Sequence, residues 1–290
     1  MHIRKILAGA ATLCASLPLL AAAPATDPAS LLARIEHLEQ ALGEANHKAD
    51  VANDRGDIEN LFSDYMYLHN AFQDEKIKAL WAKRGTPGMS AQYSNTGVYT
   101  SYDSIMAYHS GRPTPTGKLI FHYTTTPSIQ VGDDRKTAKG IWIAAGVESG
   151  LMSEAQAAAS PAYLFEQSEG SGNVVHGKKV WAHWVQMKYG VDFIRQDGQW
   201  KIWHFRCYEV SRARFDRNWI AMAAEMQDSA GNDKYNADLM YLGEDGKPVF
   251  MPKPDGPPKS IYFPYRPEGA MVLEPLPPVP YRTFGETFEY

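Results

Sequence analysis

The pattern of hydrophobic and polar positions changes once along the chain. Ahead of Lys118 the hydrophobic side chains recur at intervals of three and four residues, which is the spacing of one face of an α-helix. From Lys118 onward, runs of aromatic and β-branched residues alternate with short turn sequences, as they do in strands. Helices followed by an antiparallel meander predict an α+β fold in which one strongly curved sheet wraps around N-terminal helices.

The longest helical stripe carries two polar rings. Its members are Ile58, Leu61, Phe62, Tyr65, Leu68, His69 and Phe72. Tyr65 and His69 lie one turn apart on this face, which should pack against the core. We predict that the helix begins at Asn53 or Asp54, because both residues are good N-caps. Two shorter helices are predicted in "DEKIKALWAKRGTPG" and "YTSYDSIMAYHSG".

A separate helix is predicted ahead of this one, over residues 26–52. Its apolar side chains follow one another at intervals of four and three, which is the spacing of a short heptad seam. The members of the seam are Leu31, Ile35, Leu38, Leu42 and Ala45. Two interpretations fit it: the seam pairs with another protomer, or it packs on its own domain.

Four long strands are predicted in the second half of the chain. They are "KLIFHYTTTPSIQV", "TAKGIWIAAGVES", "KVWAHWVQMKYGVDFIRQ" and "QWKIWHFRCYEV". The turn "QDGQ" predicts a hairpin between the last two. The segment from Ser149 to Gly177 is too long for a simple turn and is either a lid or a surface excursion. Residues 212–290 are predicted to form a helix and then a proline-rich tail that lies extended over the domain or across a partner.

Composition narrows the classes of partner. The net charge is −4 over 290 residues, and the lysines and arginines are scattered along the chain. Because there is no basic cluster, neither nucleic acid nor an anionic membrane surface is expected to bind. The expected partners are therefore small molecules or other protein chains.

The first 25 residues have the pattern of a signal peptide. Basic residues precede an apolar run from Ile6 to Leu20, and the small residues "AAAPA" follow. We expect cleavage after Ala25, export to the periplasm or the medium, and no membrane association afterwards; an uncleaved anchor is the alternative. Cleavage would leave Cys207 alone, so a large core rather than an internal disulfide must stabilise the fold.

Histidines on the strands supply candidate acid–base groups. Residue parity places both His183 and His204 with the apolar sets of their strands. His122 is ambiguous, because parity aligns it with threonines, and a bulge near Pro127 decides whether it faces a cavity or solvent. Any one of these histidines is alternatively an ordinary core or surface residue.

The sequence carries no motif for a metal or a cofactor. It lacks HExxH, closely spaced histidine ligands, GxGxxG after a strand, a Walker loop and GxSxG. We therefore expect neither metal nor cofactor. Imidazole and phenol groups can serve as general bases and acids near neutral pH, so the expected chemistry is proton transfer.

The order of several segments resembles the SnoaL-like domain of the nuclear transport factor 2-like superfamily. The segments are "ARIEHLEQ", "DIENLFSDYMYLHNAFQDEKIKALWA", "GVYTSYDSIMAYH", "FHYTTTPSIQVGDDRKTAKGIWI" and "DGQWKIWHFR", and together they span roughly Leu31 to Ser211. The resemblance implies a cone-shaped cavity between a bent sheet and helices, as in scytalone dehydratase, ketosteroid isomerase and polyketide cyclases. It places the cone domain at residues 53–211, between the helix at 26–52 and the C-terminal region at 212–290.

The same resemblance implies roles for individual residues. Tyr65 matches the tyrosine of the family's first helix, and His122 matches its strand histidine. Asn70 stands where many relatives have aspartate, and an amide cannot accept a proton as a carboxylate does. His69, His122 and His204 are the remaining candidate bases, so the candidate catalytic residues are Tyr65, His69, His122 and His204.

The export signal, the aromatic interior and the long tail are similar to a smaller group, the sphingomonad lyases that release formaldehyde from lignin-derived aromatic dimers. This resemblance implies a cofactor-independent lyase or dehydratase acting on a small hydrophobic aromatic alcohol, with Arg206 holding a phenolate. The candidate substrate-binding residues are Asn70, His183, Trp184, Tyr189 and Arg206. A homodimer or homotrimer is expected.

Two other functions stay open. A ketone isomerase or cyclase of the polyketide or steroid type needs a carboxylate base, which Asp192 could supply in place of Asn70. A non-catalytic small-molecule-binding protein would use the same cone without chemistry.

Overall fold

The chain divides into two compact units, Met1–Ala49 and Asp50–Tyr290. The computed structural model describes residues 27–93, 97–110, 116–166, 172–215, 217–220, 241–242, 248–249, 251–259, 267 and 269–290. The predicted signal peptide lies outside the described residues. Within the described part, no helix is both long enough and apolar enough to cross a membrane.

Helix α1 runs without interruption from Pro28 to Asn70, so the two predicted N-terminal helices are one. The predicted start at Asn53 or Asp54 is wrong because the Asp54 carboxylate has other partners. It accepts hydrogen bonds from Arg135 Nε at 2.6 Å and from the Trp200 indole at 3.2 Å. Asp54 is therefore a buried link between helix and sheet instead of a cap.

Two short helices follow α1. Helix α2 spans Asp74–Ile77 and continues as a 3-10 turn over Lys78–Leu80. Helix α3 spans Tyr102–Tyr108 and begins at the predicted cap, Ser101. The Ser101 hydroxyl accepts from the backbone N–H of Ser104 at 3.1 Å, and the Ser104 hydroxyl accepts from that of Ser101 at 3.2 Å, which forms a reciprocal capping box.

One mixed sheet dominates the second unit. Its strand order is β2, β1, β7, β6, β4, β3, and a short β5 also pairs with β6. The pairing of β1 with β7 is parallel, and the other pairings are antiparallel. The strands are β1 Ser90–Gln92, β2 Val98–Tyr99, β3 Leu119–Val131, β4 Thr137–Leu151, β5 Val174–Val175, β6 Lys178–Gln196 and β7 Gln199–Arg214. The four long strands confirm the sequence prediction.

Three irregularities in the register decide which side chains face inward. The β3–β4 pairing shifts between Thr125 and Ser128, at the predicted bulge. The β6–β7 pairing shifts between Asp192 and Phe193, so that His204 lies opposite Asp192 whereas Ile202 lies opposite Phe193. The extra residue on β7 reverses the parity of the residues that follow it, and a second shift, between Gln186 and Met187 of β6, reverses it again before Arg212.

The core lies between the sheet and the second half of α1, which confirms the α+β fold with a curved, open sheet around N-terminal helices. Phe62 is fully buried and stacks on Trp142 with 4.1 Å between ring centroids. It also meets Tyr189 edge-on at 5.4 Å. Aromatic packing of this kind fixes the distance between helix and sheet.

The remaining described segments lie around the sheet. Helix α4 spans Glu154–Ala159 in the predicted excursion, and β8 (Tyr241–Leu242) pairs with β9 (Pro248–Val249). The predicted C-terminal helix falls outside the described residues beyond Ile220. The last segment, residues 269–290, has almost no regular structure, as predicted for the tail, and its terminal Tyr290 is buried.

Candidate active site

The sheet register places His122 on the inner face. Directly opposed residues of an antiparallel sheet share a face, and His122 lies opposite Gly146, which lies opposite the buried Val185. The His122 side chain is accordingly buried, whereas its neighbours Phe121 and Tyr123 are more than half exposed. The structure thus settles the ambiguity left by parity in favour of the interior.

A buried ion network holds the His122 ring. His122 Nε2 lies 3.0 Å from Glu148 Oε1, and the other Glu148 oxygen accepts from Arg212. Arg212 also donates to Glu209 Oε2 at 3.2 Å through its Nε and its Nη2. All four side chains are buried. We call this set, His122, Glu148, Arg212 and Glu209, the His122 cluster.

Electrostatics fixes the tautomer of His122. Burial by itself would raise the pKa of Glu148, but the Arg212 charge and the hydrogen bond with His122 outweigh it and hold that pKa well below its ordinary value. An ionised carboxylate can only accept, so Nε2 must carry a proton. His122 Nδ1 is buried and has no hydrogen-bond partner among the described residues. It is therefore the ring nitrogen that is left to accept a proton or a hydrogen bond.

Two neighbouring residues, Asn70 and Gly146, position this ring. Asn70 clamps edge strand β3, because its Nδ2 donates to the His122 carbonyl at 2.7 Å and its Oδ1 accepts from the His122 N–H at 3.0 Å. A Cβ on Gly146 would stand 2.6 Å from His122 Cδ2, so only glycine leaves room for the imidazole. Asn70 therefore positions His122 with the same amide atoms that were expected to meet a substrate.

His69 faces His122 from the helix. The two ring centroids are 5.4 Å apart, and the Tyr65 ring stacks on His69 at 6.0 Å. Burial, and then the nearby His122, lower the pKa of His69 to about 3. At neutral pH His69 is consequently an uncharged imidazole. Tyr65, His69 and His122 are three of the four predicted catalytic residues, and the structure brings them together.

A second histidine–carboxylate pair lies in the same interior. His109 is fully buried, with Nε2 2.8 Å from the Tyr93 hydroxyl and Nδ1 3.3 Å from Asp74 Oδ1. Its ring also meets the Tyr65 ring edge-on at 6.3 Å. Sequence reasoning missed this group, because Asp74 looked like a helix start and His109 like a helix end.

Two of the predicted substrate-binding residues also face inward. Tyr189 lies opposite Trp142 on β4, and burial raises the pKa of its phenol well above the ordinary value. Its hydroxyl lies 3.0 Å from Met187 Sδ. His183 is buried with its ring 5.2 Å from that of Trp181. Both therefore line the inner face of β6.

The structure does not bring the other three predicted residues to this site. Trp184 follows His183 by one residue, so it points to the outer face, where it is half exposed. His204 and Arg206 were predicted to face inward with Trp200 and Ile202, but the extra residue on β7 turns them outward.

His204 instead belongs to a buried cluster under the C-terminal segment. Its Nδ1 lies 2.8 Å from Asp192 Oδ2, and the other Asp192 oxygen pairs with Lys139. The backbone N–H of Tyr290 donates to Asp192 Oδ2 at 2.9 Å, and Lys139 donates to the carbonyl of Phe288. We call Lys139, Asp192 and His204 the Lys139 cluster. Asp192 is thus occupied and does not replace the carboxylate that is missing at Asn70.

The outer face also carries a groove of about 500 Å³. Small residues of β4 and β7 and several aromatic side chains line it. The aromatic residues are Phe121, Tyr123, Trp184, Phe215 and Trp219. Trp184 therefore contributes to a surface groove and not to the interior.

The chemistry of the interior group is proton transfer. In the described part of the chain, no three histidine, cysteine, aspartate or glutamate side chains are arranged to hold a metal ion. The residues that sequence reasoning missed are Asp74, Tyr93, His109, Glu148, Glu209 and Arg212. Glu148 has the same strand parity as Trp142 and Gly146, and that signal could have identified it. Arg212 was missed because it lies one residue beyond the predicted end of the cone domain.

Comparison with solved structures finds similar chains at low identity. A hexachlorocyclohexane dehydrochlorinase, LinA-type3 from Novosphingobium barchaimii, is 16% identical over 58% of this chain and 94% of its own, with a TM-score of 0.41. A scytalone dehydratase-like protein from Novosphingobium aromaticivorans is 14% identical over 59% and 94%, with a TM-score of 0.40. A nuclear transport factor 2-like protein with a cystatin-like fold, also from Novosphingobium aromaticivorans, is 16% identical over 69% and 97%, with a TM-score of 0.34.

At these identities and TM-scores, the likeness carries no conclusion about this chain. Comparison with curated protein sequences gives no match. The model of the SnoaL-like domain, in contrast, matches residues 50–206, which is more than half of the chain and includes Tyr65, His69 and His122. The chain belongs to the SnoaL-like domain family.

Proposed function

We propose that this protein is a cofactor-independent lyase of the dehydratase type that acts by acid–base chemistry on a hydrophobic aromatic alcohol. One observation carries the proposal: His122 is held by Glu148 through Nε2 and keeps Nδ1 buried without a partner among the described residues. An imidazole oriented by a carboxylate, with its second nitrogen turned to the interior, is the arrangement of a general base.

The proposed elimination needs one base and one acid. His122 Nδ1 takes a proton from the substrate carbon next to the carbinol carbon, and the electron pair of that C–H bond forms the new double bond. The C–O bond breaks at the same time, and the hydroxyl leaves as water after receiving a proton from the Tyr65 phenol. His122 then returns its proton to Tyr65 through solvent, which restores the starting state.

The charges of the His122 cluster suit this cycle. When His122 gains a proton it becomes an imidazolium beside the ionised Glu148, which stabilises the new charge. Neutral His69, 5.4 Å away between ring centroids, adds no opposing charge. It can instead hydrogen-bond to the substrate hydroxyl.

The side chains around these groups support the proposed substrate class. Tyr65, Phe62, Tyr189 and Trp142 form an aromatic wall on the inner face. Aromatic rings of this kind bind flat apolar molecules by stacking and edge contacts. Among aromatic alcohols, lignin-derived dimers that lose formaldehyde are the specific substrates that we propose. In these, the base takes the proton of the terminal hydroxymethyl group instead, and the electron pair of that O–H bond forms the C=O bond of formaldehyde. The C–C bond to that carbon breaks, its electron pair forms the new double bond, and the benzylic hydroxyl leaves as water with the Tyr65 proton.

The test is an assay of purified, chelator-treated protein on a panel of hydroxylated aromatic dimers and simpler aryl alcohols. Water loss appears as a new conjugated chromophore, and formaldehyde release is measured separately. The matched variants are His122→Asn in the interior and His204→Asn in the Lys139 cluster. Turnover that survives chelation, disappears in His122→Asn and persists in His204→Asn supports the proposal. A folded protein that turns over none of the panel rules it out for this substrate class.

We further propose that the protein is exported after removal of residues 1–25. The support is the basic start, the apolar run and the small residues before Thr26. The test is N-terminal sequencing of protein recovered from periplasmic and cytoplasmic fractions. A mature chain that begins near Thr26 in the periplasm supports export, and an intact N-terminus confined to the cytoplasm contradicts it.

A further inference from the structure

The first unit presents a continuous apolar stripe to solvent. In α1, Leu31 is 44% exposed, Ile35 50%, Leu38 63% and Leu42 61%. Leu32, beside the stripe, is 60% exposed. Large aliphatic side chains that recur at intervals of four and three form the seam of a coiled coil.

The spacing assigns a heptad register to this stripe. Counting from Leu31 at position d, Ile35 and Leu42 occupy a, while Leu38 and Ala45 occupy d. Ile35 is β-branched and occupies a between the leucines at d, Leu31 and Leu38, which favours two strands over three or four. The region outside the seam is polar: Glu36, His37, Gln40, Glu44 and His47 occupy its outer positions.

Charges beside the seam favour a parallel pair. Arg34 occupies position g and Glu39 the following e, which is the position that g meets on the partner helix of a parallel coiled coil. An antiparallel pair would set g against g, and the g positions Arg34 and Lys48 are both basic. The charge pattern is therefore complementary to a second copy of this helix in the parallel orientation.

We propose that residues 31–45 form a parallel two-stranded coiled coil with a second copy of this chain. The second copy buries the leucine and isoleucine side chains that are exposed in one chain, and Arg34 of one copy pairs with Glu39 of the other. The proposal concerns assembly and is independent of the proposed activity.

Disulfide cross-linking of the purified full chain tests the pairing. Ala45→Cys places a thiol in the seam, where facing Cα atoms come close enough for a disulfide, and Gln40→Cys places one at the outermost position, f. In a glutathione buffer, we expect Ala45→Cys to form linked dimers at least about ten-fold faster than Gln40→Cys, because pairing raises the local thiol concentration. Wild-type protein, whose cysteines are Cys14 and the buried Cys207, gives the background.

A charge exchange tests the orientation in the Ala45→Cys background. Arg34→Glu alone should slow linking, because it sets two acidic side chains against each other, and Arg34→Glu with Glu39→Arg should restore the rate. Equal linking at positions 45 and 40, or none at 45, overturns the coiled coil. Fast linking at 45 that the double exchange fails to restore overturns the parallel arrangement.

Discussion

The rings of His69 and His122 face each other with 5.4 Å between centroids, and their surroundings differ. His122 Nε2 lies 3.0 Å from the Glu148 carboxylate, whose pKa is held well below its ordinary value. His69 is held neutral by burial and by the neighbouring His122. One imidazole is thus prepared to receive a proton while the other stays uncharged beside it.

The depressed pKa of His69 predicts a specific dependence of stability on pH. In the unfolded chain His69 titrates near its ordinary value of 6.5, whereas in the folded chain it titrates at about 3. Between these values the unfolded state binds the extra proton, so acidification costs up to about 1.4 kcal/mol of unfolding free energy per pH unit. His69→Asn should remove this contribution and flatten the pH dependence below 6.5.

Urea unfolding at a series of pH values between neutrality and about pH 5 measures the effect of His69→Asn. The matched control is His47→Asn, on the exposed surface of the same helix, which should keep the wild-type slope. A His69→Asn protein whose stability falls with pH as steeply as that of the wild type would show that His69 is charged in the folded state.

Glu148→Gln tests what the Glu148 charge contributes to the reaction while His122 itself is retained. The amide keeps the shape but not the charge, so the imidazolium loses its stabilisation and kcat/KM should fall by about 100-fold. Arg212 loses one of its two carboxylates, which should lower the unfolding free energy by about 3 kcal/mol at neutral pH.

The pH dependence of the Glu148→Gln effect has a defined sign. The folded pKa of Glu148 lies well below its ordinary value of 4.5, so its contribution is complete above pH 4.5 and is lost as the pH falls towards the folded pKa. The stability gap between wild type and variant should therefore narrow in acid. Glu59→Gln, exposed on α1, is the control and should give no gap. A gap that is constant down to about pH 3 would contradict the assignment of an ionised Glu148.

Gly146→Ala tests whether the room left for His122 matters. The added Cβ would collide with His122 Cδ2 and with the Phe121 carbonyl, so the strand or the ring must move. We expect a loss of about 1–3 kcal/mol in unfolding free energy and a larger loss of kcat than of substrate affinity, because the base is displaced.

Gly56→Ala is the matched control for Gly146→Ala. Gly56 lies inside α1, and a Cβ there would meet nothing within 4 Å. It should stabilise the protein by about 1 kcal/mol through helix propensity and leave kcat unchanged. Wild-type activity in Gly146→Ala would mean that His122 tolerates displacement and is not the base.

The spacing of side chains along helices and strands predicted most of the site residues. It failed where a strand contains an extra residue. Tyr65 and His69 followed from helical spacing, and His183 and Tyr189 from strand parity, because each lies in an uninterrupted stretch of its element. His204 was placed on the wrong face because one extra residue on β7 reverses the alternation of inward and outward side chains. No residue in "WKIWHFRC" indicates that shift.

The missed residues share a different cause. Glu148 and Arg212 are ionisable, and an ionisable residue on a strand is ordinarily expected to face solvent. They are buried because each neutralises the other, and this pairing joins residues that are 64 positions apart in the chain. The pair of Asp74 and His109 spans 35 positions in the same way. Pairings of this length depend on the tertiary fold, so local patterns cannot reveal them.

The Lys139 cluster should support the fold and not the reaction. Its members are fully or almost fully buried under the C-terminal segment. Asp192→Asn leaves the Lys139 ammonium without its counter-charge and should cost about 3–5 kcal/mol of unfolding free energy. His204→Asn removes a hydrogen bond of 2.8 Å to Asp192 and should cost about 1–3 kcal/mol.

Activity distinguishes this supporting role from catalysis. Below the unfolding transition, His204→Asn should keep kcat/KM within about two-fold of the wild type, whereas His122→Asn, the same substitution on the inner face, should lose at least about 100-fold. Urea unfolding and kinetics on the same preparations give both quantities. A stable His204→Asn protein that loses activity as fully as His122→Asn would require the outer face of the sheet to take part in the reaction. A loss of stability without a loss of activity would place His204 with Lys139 and Asp192 as an anchor for the C-terminal segment.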